Sequence, residues 1–269
     1  MFYLPGDRLS CTNAARHTIQ LEPGVTPINT RPYRLPESQK EEIERQVKQL
    51  VQDGIVTPSE SPWNSPLLIV PKRAGPDGKP KWRMVVDFRK LNEKTIGDAH
   101  PLPDITEMLD QLGQSNYFTC LDMAMGYHQI VLETGEGPKT AFSTTQGHCE
   151  SRRLPFRLKR APATFQKIMN AVLSGLTGTR CFVYLDDIFL YARSLLEHNV
   201  KLREVLDRLR TYKLKLQPEK CQFLQKEVNY LGHVITDEGV GPDPDKVSLI
   251  EKFPNPTNPR QLKAFIFLV

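Results

Sequence analysis

Two adjacent carboxylates stand between two short apolar runs, and that arrangement constrains the chain more than any other feature. Cys181-Phe182-Val183-Tyr184 leads through Leu185 into Asp186 and Asp187, and Ile188-Phe189-Leu190-Tyr191 follows at once. β-Branched and aromatic residues mark both runs as strands. The turn between them carries no Gly, Asn or Ser, and its like charges repel, so it is a poor structural turn and a good cation holder. A third carboxylate, Asp122, closes another strand-like run, Tyr117-Phe118-Thr119-Cys120-Leu121. If these strands are neighbours in one sheet, three aspartates converge as a ligand set for two Mg²⁺ ions in phosphoryl transfer. A lone Asp-Asp pair is more often a solvated turn. The flanks here want burial, which puts this pair at a cleft.

The rest of the chain narrows the class. Its 269 residues suffice for a sizeable core, as one large domain or as subdomains sharing a cleft. No apolar stretch approaches the ~20 residues a membrane span requires, and the first residues lack a basic region followed by a long apolar core. Five scattered cysteines without a CxxC pair fit reduced, packed thiols of an intracellular protein, cytoplasmic or nuclear. The net charge of +5 is unevenly spread. Eight basic residues lie between Lys72 and Lys94, and five between Arg152 and Arg160 with no acid among them. Two positive segments beside an acidic centre suit a polyanion, nucleic acid or a triphosphate.

Residues 1–36 are proline-rich and read as an extended arm or linker. Ile43, Val47, Leu50 and Val51 give one helical face from Ser38 to Asp53, stopped by Gly54. A hairpin follows from strands at 67–70 and 81–88 around a turn-rich basic tip at 74–80. Ile105, Met108, Leu109 and Leu112 mark a second helix ending at Gly113, and strands are expected at 117–122, 128–132 and 140–144. A third helix fits 161–173, begun by Pro162. The Asp-Asp hairpin comes next, then a helix with Leu202, Val205, Leu206 and Leu209 inward. A further hairpin over 229–236 has its expected turn near 237–239, and a last helix starts at Asn258-Pro259 with Leu262, Phe265, Ile266 and Val269 in phase. This order is that of a split βαβ sheet with helices on one face, an α+β fold.

Seven segments together resemble the reverse transcriptases of Ty3/gypsy-type long-terminal-repeat retrotransposons. They are Arg31-Pro32-Tyr33-Arg34-Leu35-Pro36, Ser61-Pro62-Trp63-Asn64-Ser65-Pro66, the run from Trp82 to Asn92, the run from Leu121 to Ile130, Ala161-Pro162-Ala163-Thr164-Phe165-Gln166, Tyr184-Leu185-Asp186-Asp187, and Tyr230-Leu231-Gly232-His233. The resemblance implies a right-hand polymerase of fingers and palm, with a ferredoxin-like palm sheet and a truncated thumb. It divides the chain into an arm (1–36), fingers (37–96 and 130–160), palm (97–129 and 161–238) and the start of a thumb (239–269).

The resemblance also implies roles. Asp122, Asp186 and Asp187 look like metal-binding, catalytic carboxylates holding two Mg²⁺ ions, with Mn²⁺ able to substitute. Tyr127 resembles the ring that leaves no room for a 2′-hydroxyl, and Arg83 resembles a grip on the triphosphate, with Lys72 a weaker candidate. Phe156 and Arg157 fall at the pocket floor. Leu231, Gly232 and His233 resemble the hairpin holding the primer end. The implied partners are an RNA or DNA template with its primer, deoxynucleoside triphosphates, and other pol or gag products, with no membrane. Five residues depart from the family pattern. Arg157 and Phe267 replace usual glycines, Arg160 replaces a small or polar residue, and Cys149 and Ser151 replace aromatics. These departures disturb the nucleotide pocket, so a catalytically impaired nucleic-acid-binding remnant is the alternative reading.

Overall fold

The computed structural model describes residues 1–4, 6–72, 81–112 and 115–266, without the side chains of 72, 81, 245 and 246. The basic tip at 74–80, Gly113, Phe267 and Val269 lie outside the described residues. In chain order the elements are β1 (Arg16–His17), α1 (Glu37–Gln52), β2 (Val56–Pro58), β3 (Leu67–Lys72), β4 (Lys81–Val86), α2 (Arg89–Glu93), α3 (Ile105–Asp110) and β5 (Tyr117–Asp122). They continue with β6 (Val131–Leu132), β7 (Phe142–Ser143), β8 (His148–Ser151), α4 (Ala161–Val172), β9 (Cys181–Tyr184), β10 (Asp187–Ala192) and α5 (Leu195–Thr211). Last come β11 (Gln222–Gln225), β12 (Val228–Tyr230), β13 (His233–Ile235), β14 (Val240–Pro242), α6 (Pro244–Glu251) and α7 (Pro259–Ile266). Among the described residues no helix is long and apolar enough to cross a membrane.

The chain forms two compact units. The first comprises Met1–Leu102, Met123–Leu173 and Arg208–Gln217, and the second Pro103–Asp122, Ser174–Asp207 and Pro218–Val269. In the first, α1 buries Ile43 and Val47 in an apolar cluster with Ile55, Val56, Leu67, Phe142 and Cys149. Gly54 ends the helix at φ 66°, a conformation glycine adopts without strain. Gln46 staples this helix to β4: its Nε2 donates to the Trp82 carbonyl (3.1 Å) and its Oε1 accepts from Met84 N (3.0 Å). The described residues before α1 form only the short strand β1 as a named element and are bonded into this unit. Thr12 N donates to Gln129 O, β1 pairs in parallel with β6, and Arg153 donates to the carbonyls of Ser10 and His128. Leu9, His17 and Ile19 are buried as a result.

Three expected strands are shorter than the sequence suggests, and the one placed at 81–88 ends at Val86 because Phe88 already caps α2. The one placed at 128–132 begins only at Val131, because Gly126–Gln129 forms a 3₁₀ turn. Packing dictates that turn: a Cβ on Gly126 would meet Phe165 at 3.0 Å, and the buried Gln129 amide donates to Ala124 O and Lys215 O. The strand placed at 140–144 shrinks to Phe142–Ser143, since Gly137–Thr140 coils into a 3₁₀ turn with Pro138 at its start.

The second unit is built on a four-stranded antiparallel sheet in the order β11-β5-β10-β9. Counted along the chain those strands read 4-1-3-2, the split βαβ arrangement the element order predicts. β10 is its most buried strand, apolar from Ile188 to Ala192. One face carries Phe118, Phe182, Phe189 and Tyr191, which pack with Met108, Leu112, Val228, Tyr230 and Ile235. The helix carrying Met108 is capped by Asp104, which accepts from Thr106 N and Glu107 N. The last hairpin has two turns rather than one. Leu231-Gly232 joins β12 to β13, and residues 237–239 join β13 to β14.

Helix α5 departs from the expected apolar stripe. Val205 and Leu209 are buried, but so are His198 and Lys201 on the same face. Each has a partner that offsets its desolvation. His198 Nε2 bonds Thr119 Oγ1 (2.8 Å), while Lys201 Nζ donates to Tyr191 O (2.9 Å), pairs with Glu197 (2.8 Å) and lies over the Tyr191 ring.

Candidate active site

The register of the second unit's sheet decides where the carboxylates go. Asp122 ends β5 and Asp187 begins β10, and the two are direct partners across the antiparallel ladder. Side chains opposite one another on such a pair have Cβ atoms roughly 5 Å apart. Asp187 also pairs with Tyr184 of β9, so Leu185 and Asp186 are the two turn residues. Leu185 takes φ 54°, the left-handed region a tight two-residue hairpin needs, although it is not glycine.

Crowding three acids has an electrostatic cost. Burial, then the charges of Asp186 and Asp122, push the Asp187 carboxyl up to about 6. Asp122 is also raised, by burial first, with Lys220 opposing and Asp186 adding to the rise. Lys220 Nζ lies 3.1 Å from each Asp122 oxygen. Among the described residues no group of three or more His, Cys, Asp or Glu side chains is drawn together as a ready-made cation cage. The three aspartates are therefore neighbours held at one sheet end, mutually repelling, with one already bound to an ammonium. Their chemistry, hard carboxylate oxygens whose repulsion a cation would relieve, fits a divalent metal.

The other expected residues divide between the two units. In the first, Tyr127 lies on the 3₁₀ turn, its ring 5.1 Å from those of both Phe156 and Phe165. Phe156 is exposed and also meets His128 edge-on. Arg157, next along, has φ 70°. The turn is clamped by Asn92: its amide donates to Arg157 O (2.8 Å), and its Oδ1 accepts from Lys159 N (2.8 Å). Arg83 is exposed on β4 opposite Val70. Lys72 ends β3 opposite Lys81, and its side chain lies outside the described residues. In the second unit Leu231 and Gly232 form a turn with φ 50° and 84°, a type I′ signature, and His233 opens β13.

The matching family model is "Reverse transcriptase (RNA-dependent DNA polymerase)", over residues 70–235. That span covers the Asp122/Asp187 ladder and every turn just described.

The chain belongs to the reverse transcriptase family.

Its curated relatives include the Retrovirus-related Pol polyproteins of Drosophila melanogaster transposons 297 and gypsy. The first is 43% identical over 99% of this chain, and the second 39% over 90%. The chain spans 25% of the transposon 297 polyprotein and 24% of the gypsy one. Among solved structures it matches a foamy viral protease-reverse transcriptase in complex with double-stranded DNA, TM-score 0.86 at 26% identity, over 97% of this chain and 44% of that one. A second foamy viral structure, in complex with an RNA/DNA hybrid, matches with TM-score 0.86 over 99% of this chain and 35% of the other. The fold is the α+β fingers–palm fold of these polymerases, and the chain is a reverse transcriptase domain of the retrotransposon Pol kind.

Several residues of this reverse transcriptase domain matter more than sequence reading suggests. Asn92 carries no expected role, yet it holds the turn containing Arg157. Lys220 has no motif and acts on Asp122 from far along the chain. Arg160, a departure from the family pattern, pairs with the half-buried Asp98 (3.3 Å), which Lys167 also binds (2.8 Å). These cations hold the Asp98 carboxyl down at about 2. Cys149 and Ser151, the other two departures, are buried within β8, and Ser151 N donates to Thr140 Oγ1 (2.9 Å). They are absorbed by the packing.

Proposed function

We propose that this domain is an RNA-directed DNA polymerase that extends a primer 3′-hydroxyl with deoxynucleotides on an RNA or DNA template. The observation that carries the reading is the ladder pairing of Asp122 with Asp187, with Asp186 beside them in the turn. Two Mg²⁺ ions, or Mn²⁺ in their place, would be held by Asp122, Asp186 and Asp187 and would supply activation of the hydroxyl and charge stabilisation on pyrophosphate. The chain's own residues do the rest. Tyr127, braced by Phe156 and Phe165, presents a flat ring that excludes a 2′-hydroxyl. Arg83, with Lys72 as a weaker helper, draws in the triphosphate through a planar guanidinium. Leu231, Gly232 and His233 form a tight turn suited to holding a primer end. The foamy viral neighbours bound to a hybrid and to duplex DNA support nucleic acid as the partner. Association with other pol or gag products and an intracellular setting complete the proposal.

The second reading, a nucleic-acid-binding remnant, is favoured by one observation: Arg157 in the left-handed region beside Phe156. Primer extension on an RNA template with Mg²⁺ or Mn²⁺ separates the two. Wild-type incorporation well above that of the double variant Asp186→Asn/Asp187→Asn supports the polymerase. Equal incorporation, with salt-sensitive template binding retained, supports the remnant.

A further inference from the structure

Asp122 already has a cationic partner. Lys220 Nζ is equidistant, at 3.1 Å, from its two carboxylate oxygens, whereas Asp186 and Asp187 make no ion pair among the described residues. The placement of that ammonium is built into the sheet. Lys220 closes a single 3₁₀ turn, Pro218–Lys220, and Cys221 N donates back to Pro218 O. β11 then pairs with β5 through Gln222↔Cys120 and Gln225↔Phe118, with an irregular register between. The irregularity is itself pinned. Leu224, at φ 52°, donates its N–H to Thr119 Oγ1 (3.0 Å), and that hydroxyl is bonded to the buried His198.

We propose that Lys220 is a resident counter-ion of Asp122, one that a divalent cation must displace, and that it thereby sets the cation affinity of the site. The proposal rests on the reading that the aspartates hold divalent metal. An ammonium spread over both oxygens uses the same lone pairs that a hard cation needs. The lysine can yield, because its side chain is 63% exposed and its four-carbon stem is free to swing into water. Exposed pairs are weak, so the competition is several-fold and not orders of magnitude. Such a counter-ion offsets the repulsion among the acids while the site is metal-free and withdraws when the metal arrives.

Mn²⁺ binding to the full chain, followed by electron paramagnetic resonance, tests this. Lys220→Ala is expected to bind Mn²⁺ about three- to fivefold more tightly than wild type. Lys226→Ala removes the same charge from a residue that lies over Tyr117, and is expected to change affinity by less than about 1.5-fold. Lys220→Arg, which keeps a cation at the position, should bind no tighter than wild type. In thermal melts Lys220→Ala should fall below wild type without metal and match it at saturating Mn²⁺, a pattern a purely structural role does not give. An affinity of Lys220→Ala equal to or weaker than wild type overturns the proposal, as does an equal gain from Lys226→Ala, and both leave the metal reading standing. Wild type, Lys220→Ala and Asp122→Asn all failing to bind Mn²⁺ would remove the metal reading and this proposal together.

Discussion

Replacing Arg157 with glycine should stabilise the protein, which is unusual for a substitution that removes a whole side chain. The residue sits at φ 70°, where an L-side chain crowds the following carbonyl at a cost of roughly 1–2 kcal/mol. Its side chain is exposed, and its guanidinium makes no hydrogen bond or ion pair among the described residues, so little is lost with it. Glycine removes the crowding but adds freedom to the unfolded chain, worth about 0.4–1 kcal/mol in the opposite direction. The net expectation is about 0.5–1 kcal/mol of stabilisation, a melting rise on the order of 1–2 °C for a chain of this size. Arg157→Ala is the control, since alanine keeps the left-handed strain and should melt within about 1 °C of wild type. Differential scanning calorimetry of the three proteins ranks them. A glycine variant melting at or below the alanine variant refutes the strain argument. In primer extension the glycine variant is also expected to raise incorporation, because main chain could then approach the nucleotide. An unchanged rate in a folded protein would remove that account of the position.

Asn92→Ala should cost about 2 kcal/mol in urea unfolding, one for each hydrogen bond lost from the 157–159 turn; a loss under ~0.5 kcal/mol would mean that the turn holds itself. His17 gives a pH dependence. Burial first, then the Arg160 charge, hold its imidazole down at about 4, against a partly compensating Asp98. Between pH 6.5 and 4 the unfolded chain therefore takes up a proton that the folded chain refuses. The stability contributed by keeping His17 neutral is full above 6.5 and falls by roughly 3 kcal/mol as pH drops to 4. Urea midpoints across that range should fall less steeply for His17→Gln, and parallel curves would contradict the assignment. Tyr127→Ala should admit ribonucleotides in single-turnover incorporation, and undiminished sugar selectivity would reject the role proposed for its ring.

Local pattern made much of the fold legible. Short apolar runs rich in β-branched and aromatic residues place β5, β9 and β10, and the Ile43/Val47 spacing and Gly54 bound α1 closely. Where the reading fails, a side chain from elsewhere has taken over the backbone. Gln129 binds the carbonyl of Lys215, and Phe165 lies against Gly126, so a segment with strand-like residues coils. The same holds on α5, where the partners of His198 and Lys201 sit on β5 and β10 and let polar groups occupy a core stripe.

The candidate site divides along the same line. Sequence by itself singled out Asp122, Asp186 and Asp187, because an Asp-Asp turn between strands and an Asp at another strand's end are local facts of residue type and spacing. Only the tertiary structure decided that Asp122 faces Asp187, since register is a property of two strands and not of either one. It alone supplied Lys220, whose approach to Asp122 follows from the way β11 joins the sheet edge. It also fixed the left-handed turn at Arg157, held by an asparagine 65 residues away. Covalent order sets what each segment prefers, and long-range pairing sets which preferences survive.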